Sequence, residues 1–292
     1  MFTLSSYNST VKEEDKLGLG LWWSIRSSRI PNKALEDEME RVGLDINWIE
    51  YETEKASFIS AVDAVAKEYN CISRKVLDDA THLVLQMFDI NSDKSAEKLA
   101  FDQHTKAIYA KESKTVSIQG KQEIADDILR RFESHKESQP DTKLRVMLTG
   151  ILRLKGATAL RPSGGVYFLQ ADQADTVEKL SQLLTNLDMG EVYTLYISRT
   201  PDEIRTVGIN AKEDFKSRLE QTIKEIENIT SRESSVDRAK DKITEIIGSA
   251  EGLLLKTLDM QEEMEELMEL AQLAESKATE KLTNIHFEKS NK

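Results

Sequence analysis

Apolar residues recur along this chain in two rhythms, and the rhythm changes near residue 200. Before that point, short β-branched and aromatic runs alternate with amphipathic stretches. Beyond it, only the three-and-four spacing of a helix remains. LGLGLWWSIRS (17–27) reads as a strand centred on Trp22, Trp23 and Ile25. Pro31 followed by NKALEDEMERVG predicts a helix from Asn32 that stops at Gly43, with Ala34, Leu35, Met39 and Val42 on its apolar face. A second helix is expected from Thr53 to Tyr69, with Phe58, Val62, Val65 and Ala66 inward. THLVLQMFDI (81–90) reads as a buried strand. EKLAFDQ, KAIYAKE and TVSIQ follow as short strands of a half-exposed antiparallel meander. KQEIADDILRRFESH is a further amphipathic helix, which Pro140 separates from the helix KLRVMLTGILRLKG (143–156). A hairpin, a helix over 175–188 and the strand EVYTLYISR (191–199) complete this part.

The tail begins near Asp202. Phe215, Leu219, Ile223 and Ile226 form one helical stripe, and SRESS (231–235) marks a break with serines suited to capping. Ile243, Ile247, Ala250 and Leu254 then keep coiled-coil spacing, which Met264, Leu267, Ala271 and Ala274 extend. Gly248 and Gly252 interrupt the run, each at about 1 kcal/mol in a helix interior. A continuous helix over 234–286 would be about 80 Å long and would need something to cover its apolar stripe. The pattern therefore predicts an α+β fold. Residues 1–200 form a head with a mainly antiparallel sheet, and 201–292 form a long-helix or coiled-coil stalk.

Composition narrows the functional classes. The formal net charge of −12 opposes global attraction to nucleic acid or an anionic membrane, so either would need a local basic patch. Cys71 is the single cysteine, which excludes an internal disulfide and a cysteine-rich zinc site. No run approaches the roughly 20 apolar residues of a membrane span, and MFTLSSYNST lacks the features of a signal peptide. A reduced cytoplasmic setting is expected.

Candidate chemistry concentrates in LRPSGGVYFLQ (160–170). A phosphate loop of the G-x-x-x-x-G-K-S/T type needs a helix and a lysine after its glycines, whereas Gly164 and Gly165 lead into a strand. A tight turn that uses glycine at positive φ is the plainer reading. The nucleic-acid alternative is a winged helix. Residues 142–161 carry five basic side chains (Lys143, Arg145, Arg153, Lys155 and Arg161) and no acidic one, ahead of a hairpin wing. Arg145 and Arg153 lie about 80° apart around the helix, while Leu144, Met147, Leu148, Ile151 and Leu152 form the buried face.

Other signals are weaker. DINSDKS (89–95) superficially matches a calcium loop, but Lys94 and Ala100 stand where glycine and glutamate are needed. The histidines His82, His104, His135 and His286 show no metal-binding spacing. Ser24, Ser27 and Ser28 near Arg26 and Arg29 read as strand-end polar groups. The acidic run DMQEEMEELMEL (259–270) reads as a solvated helix face. No nucleophile elbow, dinucleotide fingerprint or kinase signature appears, so no cofactor is expected and an enzyme is disfavoured.

WWSIRSSRIPNKALEDEMERVGLD, FISAVDAV and LRVMLTGILRLKGATALRPSGGVYFLQ together resemble an uncharacterised family of prokaryotic and phage proteins. LRPSGGVYFLQ is the most specific part. The resemblance implies a bacterial or phage setting and transfers no site residue. The sequence thus predicts a non-enzymatic interaction or assembly protein of phage or mobile-element origin, which engages a host protein complex. It is expected to form a homo-oligomer through Phe215, Leu219, Ile223, Ile243, Ile247, Leu254 and Leu267. Nucleic-acid association through the basic helix and hairpin is the alternative, and no membrane partner is expected.

Overall fold

A computed structural model of the protein describes residues 15–91, 100–161, 164–230 and 232–290. In chain order it contains β1 (Lys16–Ile25), β2 (Arg29–Pro31), α1 (Asn32–Arg41), α2 (Glu54–Glu68), β3 (Cys71–Asp78) and β4 (His82–Asn91). Next come β5 (Ala100–Ala110), β6 (Thr115–Gln119), α3 (Gln122–Lys136), β7 (Ser138–Pro140), α4 (Asp141–Leu154) and β8 (Thr158–Ala159). The chain ends with β9 (Tyr167–Gln170), α5 (Ala174–Asn186), β10 (Gly190–Ser198), α6 (Pro201–Asn228), α7 (Glu233–Ala250) and α8 (Gln261–Ser290). Helices and antiparallel sheets make this an α+β protein. Among the described residues, no helix is long and apolar enough to cross a membrane.

The chain divides into two compact units, one from Arg26–Met147 and one that joins Met1–Ile25 to Leu148–Lys292. The boundary near residue 200 marks a change of composition and the start of α6, but not a division between units. β1 is an N-terminal strand that pairs with both β10 and β9, so it ties the tail's unit to the start of the chain.

In the Arg26–Met147 unit, β3-β4-β5-β6 form an antiparallel meander whose inner face packs against α2 and α3. Phe58, Tyr109 and Phe132 meet there with ring centroids 5.6 to 6.3 Å apart. Thr53 caps α2 by accepting from the Ala56 amide at 3.3 Å. The two strands expected within 97–112 are one strand, β5, from Ala100 onward. Met87 faces Thr105 and Phe88 faces Gln103, so His104 is taken up in a bulge and polar residues do not end the strand. Residues 92–99 of the calcium-like loop lie outside the described residues. Arg29 joins the short β2–β7 ladder by donating to Ser138 and to the His135 carbonyl and by pairing with Glu52. Its guanidinium is thereby spent on structure rather than held for an anion.

In the other unit the sheet order is β10-β1-β9-β8, all antiparallel. Gly190 sits at φ +149, where a Cβ would lie 1.9 Å from the Ser24 carbonyl oxygen, so only glycine lets β10 begin against β1. The tail folds on itself. Lys212 pairs with Glu266, Lys277 pairs with Glu227, and His286 reaches Glu233. These pairs set α6 and α8 parallel, with α7 antiparallel to both. A continuous helix over 234–286 is not formed. The helix widens to a π turn at Glu251–Leu255, and the chain turns at Asp259 (φ 56) into α8. Gly208 on α6 admits this turn, since a Cβ there would fall 1.9 Å from the Met260 sulfur.

Candidate functional site

The hairpin that opens the question of chemistry is built from the end of α4. Gly156 at φ +80 caps the helix, and the Ala157 amide donates to the Leu152 carbonyl. β8 is two residues long and pairs Thr158 with Phe168 and Ala159 with Tyr167. Gly164 and Gly165 sit at φ +67 and +83, the Gly164 amide donates to the Arg161 carbonyl, and Arg161 Nε returns a bond to the Gly164 carbonyl. Pro162 and Ser163 lie outside the described residues. β9 is held between β1 and β8, so the strands of the hairpin are part of the sheet.

Beside this hairpin, α6 divides its faces. Val207, Ala211, Phe215, Leu219 and Ile226 point into the bundle core. Asn210, Glu213, Asp214, Ser217, Arg218 and Gln221, at the complementary three-and-four spacing, line two cavities. The larger, about 430 Å³, brings together Arg153 of α4, Tyr167 of β9, Asp214 and Arg218 of α6, and Lys242 of α7. The smaller, about 280 Å³, is walled by Arg161, Asn210 and Glu213, and shares Ala159, Asp214 and Ser217 with the first.

The larger cavity carries unspent hydrogen-bonding capacity. Arg218 is only 8% exposed, and its Nη1 makes no hydrogen bond among the described residues. The same holds for the buried Arg153 Nε and for Asp214 Oδ2, whose side chain is 10% exposed. Arg153 stands 3.9 Å from Asp214 and Arg218 stands 3.8 Å from Glu245, both longer than a hydrogen bond. Burial, and then the charge of Arg153, holds the Arg218 guanidinium below its usual pKa, which Asp214 and Glu245 only partly offset. Arg218 also lies 5.6 Å over the Phe215 ring. Three cationic side chains and one carboxylate line this cavity, in a protein whose formal net charge is −12, and of the three Lys242 is already paired with Glu225 at 2.8 Å.

The sequence-derived residues distribute unevenly. Arg153 and Arg161 reach the paired cavities. Lys143 instead pairs with Glu50 at 3.0 Å, Arg145 lies 3.4 Å from Asp141, and Lys155 is exposed. Phe215, Leu219, Ile243, Leu254 and Leu267 are buried in the core of the chain's own helical bundle, and Ile223 and Ile247 pack against it. The stripe that needed covering is covered from within. Glu266 of the acidic run is held by Lys212. No group of three or more His, Cys, Asp or Glu is placed to hold a metal ion among the described residues. Periodicity did not point to Asp214, Arg218 or Lys242. The available signal was a second polar stripe on α6, facing the hairpin.

No curated protein and no solved structure matches the chain. Residues 16–283, from β1 into α8, match the model of a family of unknown function, DUF6744, and the chain belongs to that family.

Proposed function

We propose that this chain is a non-enzymatic binding protein whose recognition site is the anion-receptive cavity formed by Arg153 and Arg218. The observation that carries this reading is the buried Arg218 guanidinium with Nη1 unbonded beside Arg153 Nε. A buried Arg218 guanidinium beside the half-buried Arg153, facing one carboxylate, is costly alone and is compensated by an incoming anion. The lining residues supply donors and the two carboxylates Asp214 and Glu213, but no histidine or cysteine. The resemblance of LRPSGGVYFLQ to prokaryotic and phage proteins supports a phage or mobile-element protein acting in the cytoplasm. Self-association or engagement of a host complex then uses surfaces of the helical tail other than the seven stripe residues, which lie within or against the chain's own core.

The second reading is nucleic-acid association through Lys143, Arg145, Arg153, Lys155 and Arg161. The placement of Arg153 and Arg161 at the cavities favours it, and the pairing of Lys143 with Glu50 opposes it. Thermal unfolding with inorganic phosphate against sodium chloride at equal ionic strength tests the binding reading. A rise in Tm with phosphate alone, abolished in Arg153→Gln, supports it. Equal curves in both salts refute it.

A further inference from the structure

Resting on that reading of the cavity, we infer that the ligand is a phosphate monoester bearing hydroxyl groups, the shared chemistry of a nucleoside monophosphate and a sugar phosphate. Its phosphate sits against Arg153 and Arg218, and its hydroxyls against Asp214 and Glu213.

A bare anion does not fit the whole site. Among the described residues, the buried groups of this cavity's lining without partners are two donors, Arg153 Nε and Arg218 Nη1, and one acceptor, Asp214 Oδ2. An anion with no proton to give, such as sulfate, meets the donors but sets negative charge against the Asp214 carboxylate. Inorganic phosphate can turn a P–OH to Asp214 but carries no further group for Glu213 and Asn210. A phosphate ester meets both, because its phosphate accepts from the arginines and a hydroxyl several bonds away donates to Asp214.

Space points the same way. The arginine cavity of about 430 Å³ and the 280 Å³ cavity share Ala159, Asp214 and Ser217 in their linings, so the two adjoin, and the larger is within the range of small-ligand sites. The second cavity is walled by Glu213, Asn210 and Ser217, which present carboxylate, amide and hydroxyl groups suited to vicinal hydroxyls. The phosphate therefore has a pocket with Arg153 and Arg218, and the polyhydroxylated group has a neighbouring polar one that Arg161 also borders.

Calorimetric titration of the full chain at low salt tests this with adenosine 5′-monophosphate, ribose 5-phosphate, inorganic phosphate and a short single-stranded oligonucleotide. The two esters should bind about tenfold or more tighter than phosphate, the worth of one charge-assisted hydrogen bond. Equal affinity for the two esters assigns the site to sugar phosphates, and a preference for the nucleotide assigns it to nucleotides. Asp214→Asn should weaken ester binding by removing the hydroxyl acceptor and, in a parallel titration with sulfate, which has no proton to give, strengthen binding by removing a like charge, a change of opposite sign for the two probes. Arg218→Gln should abolish binding of all three small probes. Arg153→Gln, at a half-buried position, repeats that test if the Arg218 variant fails to fold. Phosphate binding as tightly as the esters overturns the inference and leaves the anion site standing. Binding of the oligonucleotide without either ester also overturns it, in favour of nucleic acid. Binding of none of these probes overturns both the inference and the reading beneath it.

Discussion

Replacing Arg218 by methionine should make the unliganded protein more stable while destroying its binding site. Arg218 is 8% exposed with Nη1 unbonded among the described residues, and a buried donor without an acceptor costs about 1–3 kcal/mol. The interactions lost are smaller, and the attraction of Asp214 is offset by the repulsion of Arg153 that is removed with it. Glu245 stands 3.8 Å away with a side chain 48% exposed, worth at most about 1 kcal/mol. The placement over Phe215 at 5.6 Å adds about 0.5–1 kcal/mol. Methionine matches arginine in helix propensity and adds apolar burial of about 1 kcal/mol. The balance favours Arg218→Met by about 1 kcal/mol. Urea unfolding followed by circular dichroism should therefore show a midpoint raised by about 0.5 M. A loss of more than about 1 kcal/mol would refute the reasoning, because it would mean that the donors of Arg218 are already satisfied.

Three further outcomes follow from the packing. Gly208→Val drives side-chain atoms into Met260, whose sulfur lies 1.9 Å from the Cβ position, and should cost about 1–3 kcal/mol in urea unfolding. Leu254→Asp places a carboxylate at a fully buried core position, so it should unfold the helical tail at a cost above about 3 kcal/mol. Light scattering with circular dichroism would separate that loss of helix from simple dissociation of a folded oligomer. Burial, and then the charge of Arg29, holds His135 below its ordinary pKa, so the unfolded chain binds the proton more readily. Stability should be complete above the unfolded value of about 6.5 and fall as pH drops through it toward the lower folded value. His135→Gln should flatten that slope in thermal unfolding between pH 7 and pH 5, and an unchanged slope would remove His135 as its source.

Much of the fold was legible because burial writes itself into periodicity. α1, α2 and α3 follow their apolar faces, and Thr200 with Pro201 at the first turn marks the start of α6. Ala34 is the exception on α1, being exposed while Leu35, Met39 and Val42 are buried. β3 escaped notice because CISRKVLD is an edge strand with mostly exposed side chains, so it shows no alternation to read. The apolar stripe of the tail was legible, but its partner was not. The same spacing serves a second copy or a second helix of the same chain, and only the turn through Asp259 decides between them. The candidate site was half legible. Arg153 and Arg161 stood out as basic residues near a glycine turn, whereas Arg218 and Asp214 sit in a charged helix where polar residues are ordinary. Their burial comes from the docking of α6 against β8, a long-range event that local pattern does not encode.

The most direct test reads the arginine nitrogens themselves, by following the Nε–H resonances of arginine-labelled protein as inorganic phosphate is added at low salt. The Arg153 signal, assigned through Arg153→Gln, should shift progressively and saturate, while the Arg29 signal stays fixed because that guanidinium is already bonded. An Arg153 signal unmoved by phosphate would contradict the claim that this cavity is an anion site.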